Sequence, residues 1–148
     1  MSQEFFQING LSASSFLYFI SKHFRSGIVI VPSSFELDAV KDTLSFFLNA
    51  ESSVLTFPAF ERTYEPIRQE PQTTIDRLKT QSILCKNPGP FFLITSLEAL
   101  SQKTIRPQQL EKSILRVEKG SWLHRDHLID ALFSLGYRQD DFAEDHGF

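Results

Sequence analysis

The chain has 148 residues, enough for one ordinary domain or for one domain and part of a second. Its apolar share of 41% can bury a real core, and its formal charge is −3, from 15 basic and 18 acidic side chains. That balance supplies no concentrated basic face, which argues against strong independent duplex binding, since such binding needs clustered cations to release counterions from phosphates.

A single cysteine, Cys85, excludes an internal disulfide and suits a reducing cytosol. No run approaches the roughly 20 apolar residues of a membrane span, and Met1-Ser2-Gln3-Glu4 lacks a signal peptide's basic and apolar regions. A soluble cytoplasmic protein is expected. Phe is over-used, at 15 residues, while Trp occurs once. Core filling is the simplest account, because aromatic side chains dominate buried area.

In chain order, Glu4 to Ile8 reads as a short strand ahead of Asn9-Gly10. Phe16, Ile20 and Phe24 recur at four-residue spacing, so Leu11 to Phe24 reads as a helix with one apolar stripe. Ile28-Val29-Ile30-Val31 follows Gly27 and is a β-branched run of the kind buried on both faces of a parallel sheet. Ser33-Ser34-Phe35-Glu36 has the pattern of a capping box. It opens a helix with Leu37, Val40, Leu44 and Phe47 on one face. Ser53 to Phe57 reads as the next strand, followed by a Pro-rich loop.

Pro71 suits the first turn of a further helix, where its missing N–H costs nothing. That helix runs to about Lys86 and stops at Asn87-Pro88-Gly89-Pro90. Phe91 to Thr95 reads as strand, Ser96 to Leu100 as a short helix, and Ser101 to about Lys112 as a polar connector. The alternation predicts an α/β fold, an open and mainly parallel sheet with helices on both faces. Its four strands are Glu4 to Ile8, Ile28 to Val31, Ser53 to Phe57 and Phe91 to Thr95, with the Val54 and Leu55 neighbourhood covered on both faces.

After Lys112 the pattern changes. Ile114 to Glu118 alternates apolar and polar, as a half-exposed strand does. A helix is expected from about Arg125 to Leu135, with His124 at its N-cap, Leu123 and Leu128 as a staple, and Gly136 at a left-handed C-cap. The domain boundary therefore falls near Lys112-Ser113, giving domains 1–112 and 113–148.

Two separated stretches carry a family resemblance. Phe57 to Leu78 (FPAFERTYEPIRQEPQTTIDRL) leaves a strand through Phe57-Pro58, crosses a loop with Phe60, Glu61, Tyr64 and Pro66, and re-enters helix at Ile75-Asp76-Arg77-Leu78. Gly136-Tyr137-Arg138 then precedes Glu144-Asp145-His146-Gly147. In this order the two stretches resemble the amino-terminal region of the bacterial transcription-repair coupling factor (Mfd), with its Gly-Tyr-Arg and Glu-His-Gly motifs. The resemblance implies a degenerate, P-loop-helicase-like, UvrB-like first domain, followed by part of a small α/β second domain that recruits UvrA, the excision-repair subunit. The motor that uses ATP to displace stalled RNA polymerase lies elsewhere in that family's long chains. Arg138, Glu144 and His146 would offer only the margin of the UvrA surface, so recruitment by this chain is expected to be weak or lost. Other partners implied are the remaining domains of a full-length coupling factor. An exposed edge position for Ile28 to Val31 would remove the root of the UvrB-like assignment.

The place for phosphate chemistry is the turn Asn9-Gly10-Leu11-Ser12-Ala13. Aligned with a UvrB-type helicase, Leu11 replaces a Gly, Ser12 the phosphate-binding Lys, and Ala13 the metal-binding Ser or Thr. Without that charge and hydroxyl the loop is expected to be vestigial, with no nucleotide cofactor and no catalysis. His124-x-x-His127 offers two imidazoles, but structural zinc needs four convergent ligands, so no metal is expected. His23 and Cys85 read as ordinary packing. Asp126, Asp130, Asp140, Asp141, Glu144 and Asp145 read as a solvated acidic face, since nothing near them supplies a nucleophile. The Pro-rich loop, whose polar residues are Glu61, Arg62, Tyr64, Glu65 and Arg68, is too short for the aromatic DNA-clamping hairpin of UvrB-type proteins and reads as a structural loop crossing the sheet edge.

Two other classes remain open. A small Rossmann-like nucleotide-binding protein would need a Gly-rich loop and a ribose-binding acidic residue about 20 positions on, and the loop fails that requirement. A stand-alone protein-interaction module would be told from a coupling factor by the absence of a downstream helicase-motor coding region. The unpaired backbone of a lone strand after Lys112 also predicts self-association through that part of the chain, or poor order there.

Overall fold

The computed structural model describes residues 7–12, 14–33, 36–48, 53–60, 71–86, 89–115, 117–120 and 122–139. It is an α/β protein with a small open sheet. In order come α1 (Ser14–His23), β1 (Gly27–Val31), α2 (Leu37–Phe47), β2 (Ser53–Phe57), α3 (Pro71–Cys85), β3 (Phe91–Ser96), α4 (Leu97–Ser101), α5 (Pro107–Lys112) and α6 (Arg125–Ser134). Two compact units divide between Lys103 and Thr104. The division falls ahead of Lys112-Ser113 because α5 groups with the later residues. Among the described residues, no helix is long and apolar enough to cross a membrane.

The first unit holds a three-stranded parallel sheet in the order β1-β3-β2. Val29 stands opposite Ile94 on one side of β3, and Leu55 opposite Leu93 on the other. The strand made last in the chain thus sits in the middle. Its side chains alternate between two cores, as period-2 geometry requires. Phe92 and Ile94 join Leu17 of α1, Val29 and Val31 of β1, and Leu37 and Leu44 of α2. Leu93 joins Phe57, Ala59 and Ala99 on the opposite face, with Leu84 of α3 packed beside them. Val54 packs against the first core and Leu55 against the second.

The run buried on both faces is therefore Phe91–Ser96, not Ile28 to Val31. Within the described sheet β1 is an edge strand: Val29 and Val31 are buried, whereas Ile28 is 60% exposed and Ile30 55%. Both runs are apolar and rich in branched side chains, so composition alone could not tell centre from edge. The pairing order decided it. Residues 4–6 of the fourth expected strand lie outside the described residues, so the edge position is that of β1 within the described sheet.

Other expectations shift in detail. Of the strand expected over Glu4 to Ile8, Gln7 and Ile8 are irregular and residues 4–6 lie outside the described residues. In α1 the core contact is made by Leu17, while Phe16 and Phe24 are exposed and Ile20 is half-buried. The helix thus turns a neighbouring stripe inward from the one expected. α2 begins one residue after Glu36, which stands at the N-cap without a side-chain cap bond. The Glu36 amide donates to the Ser33 carbonyl oxygen at 3.2 Å, and residues 34 and 35 of the expected capping box lie outside the described residues. Leu37, Val40, Leu44 and Phe47 do face one core. Pro71 opens α3 as its spacing implies. Phe usage divides: Phe57 and Phe92 are buried, but Phe46 is 82% exposed.

The second unit contains α5 and α6. The connector from Ser101 to Lys112 contains α5, opened by Pro107 at its first position. Of the strand expected over Ile114 to Glu118, the described residues are irregular and join no ladder. A strand needs a neighbour to take its backbone N–H and C=O groups, and the described residues of this unit contain no strand. α6 starts after His124, which holds the N-cap position without a side-chain bond, and ends at Gly136 with φ +90°.

Candidate functional site

At the C-terminal end of β2 the chain turns through Pro58, Ala59 and Phe60. The side chain that organises this turn comes from α3. Arg77 is buried, and its guanidinium carbon lies 4.0 Å from the Phe57 ring centroid and 4.4 Å from that of Phe60. A delocalised planar cation between two aromatic rings gains from both quadrupoles. Nη1 donates to the Pro58 carbonyl oxygen at 2.6 Å and to Gln102 Oε1 at 3.3 Å. Nη2 is buried and has no hydrogen-bond partner among the described residues. Burial lowers the pKa of Arg77 below the usual arginine value, yet a guanidinium remains protonated in proteins.

Gln102 completes the arrangement by pairing with Phe60 as a strand would. Its Oε1 accepts from the Phe60 amide at 2.8 Å, and its Nε2 donates to the Phe60 carbonyl oxygen at 2.9 Å. Nearby, Thr95 Oγ1 donates to the Phe57 carbonyl oxygen at 2.9 Å and Thr80 Oγ1 to that of Thr56 at 2.7 Å. The two ends of the stretch Phe57 to Leu78 therefore meet in space. Sequence reading singled out both ends but did not pair them. Gln102 was missed, because a lone Gln in a polar connector carries no signal. The residues between, including Glu61, Arg62, Tyr64, Glu65 and Arg68, lie outside the described residues.

The turn before α1 is closed upon itself. Gly10 takes φ +84°. The Ser12 amide donates to Ser15 Oγ at 2.9 Å, while Ser15 Oγ donates to the Ser12 carbonyl oxygen at 2.6 Å. An amide that a phosphate oxygen would use is thus satisfied within the turn. Asn9, Gly10, Leu11 and Ser12 are exposed, and Ala13 lies outside the described residues. No lysine stands in the turn.

In the second unit the sequence-marked Gly136-Tyr137-Arg138 forms a defined structure. The Gly136 amide donates to the Phe133 carbonyl oxygen at 3.0 Å, and the Tyr137 amide to that of Leu132 at 3.1 Å. These are the two bonds of a Schellman C-cap, which requires the left-handed residue that Gly136 supplies. Tyr137 and Arg138 consequently lie beside α6. With Arg125, Ile129, Leu132 and Phe133 they line a groove of about 280 Å³. Glu144 and His146 lie outside the described residues.

The remaining candidates are dispersed. The His124 and His127 rings are 5.5 Å apart, and Trp122 meets His124 edge-on at 6.2 Å. Among the described residues, no group of three or more His, Cys, Asp or Glu converges as a metal site. His23 stacks on Phe19 at 4.1 Å, and its Nδ1 hydrogen-bonds the Phe19 carbonyl oxygen at 2.9 Å. Cys85 is exposed at the end of α3. Asp126 meets Arg125 at 3.6 Å on an open surface, an exposed pair of little energetic weight.

No protein-family model and no curated protein matches this chain.

Proposed function

We propose that the chain is the amino-terminal region of a transcription-repair coupling factor. It acts as a non-catalytic, UvrB-like module that helps bring UvrA to RNA polymerase stalled at DNA lesions. The observation that carries the reading is the contact of Arg77 with Phe57, Pro58 and Phe60. It joins the two ends of the stretch on which the family resemblance rests, so the spacing between them reflects a folded constraint. The Schellman turn at Gly136-Tyr137 supplies a second motif with a structural reason.

Sheet order gives this reading no support, since β1 lies at the described edge. The finer fold, a degenerate P-loop-helicase-like domain, therefore rests on the motifs alone. In this reading the module works in the cytoplasm, uses no cofactor, binds DNA only weakly by itself and recruits UvrA through a surface of which Arg138, Glu144 and His146 form the margin.

A pull-down of UvrA decides. The chain itself is compared with the same coding sequence continued by about 70 residues, a typical remainder for a small domain. Weak capture by the chain and strong capture by the longer product is the expected outcome. Equal capture would place the contact within these 148 residues. Capture by neither would end the repair reading.

One observation favours a second reading, a protein-interaction module that works alone. The second unit leaves Trp122 94%, Val117 61% and Phe133 52% exposed, apolar area whose burial against a partner would be favourable. In this reading, residues after Lys112 also mediate self-association.

A further inference from the structure

The groove beside α6 combines two features that sequence spacing alone does not join. Arg125, Ile129, Leu132 and Phe133 fall at helical positions i, i+4, i+7 and i+8, one continuous stripe of α6. After the Schellman turn, Tyr137 and Arg138 line the same groove. The lining is mainly apolar and includes two arginines, Arg125 and Arg138. Arg125 meets Asp126 at 3.6 Å with both side chains largely exposed, so solvent reaches its guanidinium, a group with five N–H donors.

We propose that this groove docks a segment of a partner protein in which acidic residues flank an apolar anchor side chain. Charge complementarity selects the occupant. Two arginines in a mainly apolar lining favour carboxylates flanking a Leu, Phe or Met, because the Arg fork pairs with carboxylate in bidentate fashion. The volume is compatible with this occupant: about 280 Å³ lies at the lower end of the roughly 300–1,000 Å³ range of ligand sites. It suits one buried anchor with its flanks lying across the surface. The inference shares Arg138 with the surface assigned above but rests on the groove, not on the repair reading. A failed UvrA pull-down leaves it standing.

The test is a selection of random dodecapeptides displayed on phage against the full 148-residue chain. The counter-target is the same chain carrying Arg125→Glu and Arg138→Glu. Enriched peptides should place Asp or Glu close to a Leu, Phe or Met. Their synthetic versions should bind the chain about tenfold more tightly than the double variant, as expected if each arginine contributes part of the interface energy. Arg125→Lys with Arg138→Lys should keep part of the binding, and raised salt should weaken it. If the double Glu variant loses helical circular dichroism, Arg138→Gln alone replaces it. The proposal is overturned if no peptide is enriched, if enriched peptides lack acidic residues, or if the variants bind equally well. Tighter binding of single-stranded oligothymidylate than of any selected peptide would also overturn it, since aromatic and arginine side chains together can hold nucleobases.

Discussion

Arg77 donates to the Pro58 carbonyl oxygen at 2.6 Å across 19 positions of sequence. The bond sets the direction in which the chain leaves β2, because the same guanidinium is held between the Phe57 and Phe60 rings. Helix α3 thereby fixes the start of the loop that precedes it.

Replacing Arg77 separates its packing from its hydrogen bonding. Arg77→Ala removes both, and a loss of about 2–4 kcal/mol is expected, in the range of a broken buried polar network. Arg77→Lys keeps the charge but offers no flat surface to the two rings, so about 1–2 kcal/mol should be lost through packing and geometry. Urea unfolding at unchanged m reads both values. A loss below about 0.5 kcal/mol for the alanine variant, the ordinary range for surface sites, would show that the network contributes little.

The two classes of Phe should behave differently. Phe92 is 1% exposed between α1, α2 and the sheet, so Phe92→Ala is expected to cost about 3–5 kcal/mol. Phe46 is 82% exposed, and Phe46→Ala should stay within about 0.5 kcal/mol. Equal melting temperatures for the two variants would contradict the burial described.

Gly136 has nothing within 4 Å of an added Cβ, so its constraint is purely one of backbone conformation. At φ +90° Gly136→Ala should cost about 1–2 kcal/mol, the penalty of an L-residue in the left-handed region. The cost should appear locally. Amide exchange at Gly136 and Tyr137 would speed up, since their two capping bonds would open, while β3 would keep its protection. Unchanged exchange at these two amides is the outcome that would contradict the capping role.

Magnesium-ATP titrated into the chain should give no heat of binding. The Ser12 amide is already taken by Ser15 Oγ, and the turn carries no lysine. Ser15→Ala would free the amide without supplying a cation, so it too should give none. Micromolar affinity in either case would restore the turn as a phosphate site.

Trp122 is the sole tryptophan and is 94% exposed, which makes it a reporter of self-association. If residues after Lys112 pair two copies, its emission should shift to the blue as concentration rises. Trp122→Ser should then lower the apparent mass in light scattering without lowering stability. Emission independent of concentration, with a constant monomer mass, would rule out self-association through this surface.

Much of the secondary structure was legible because it depends on neighbours along the chain. Pro71 at the start of α3, the apolar face of α2 and the left-handed turn at Gly136 each follow from local rules of period and dihedral angle. The chain order of helices and strands in the first unit, from α1 onward, follows for the same reason. Parallel α/β character was also readable, because helices between successive strands supply the crossover connections that parallel pairing needs.

The pairing order was not readable. Ile28 to Val31 and Phe91 to Thr95 look alike as sequence, and only the ladder β1-β3-β2 made the second central and left Ile28 and Ile30 exposed. The strand expected over Ile114 to Glu118 failed for a related reason, since an alternating pattern describes a surface but cannot provide the neighbour that a ladder needs. The candidate sites depended on tertiary structure most of all. Arg77, Gln102 and Phe60 meet across 25 and 42 positions. The groove beside α6 exists only because Gly136 turns Tyr137 and Arg138 back along the helix. Local chemistry specifies each element from its own residues, whereas a site made of distant side chains depends on which elements the core brings together.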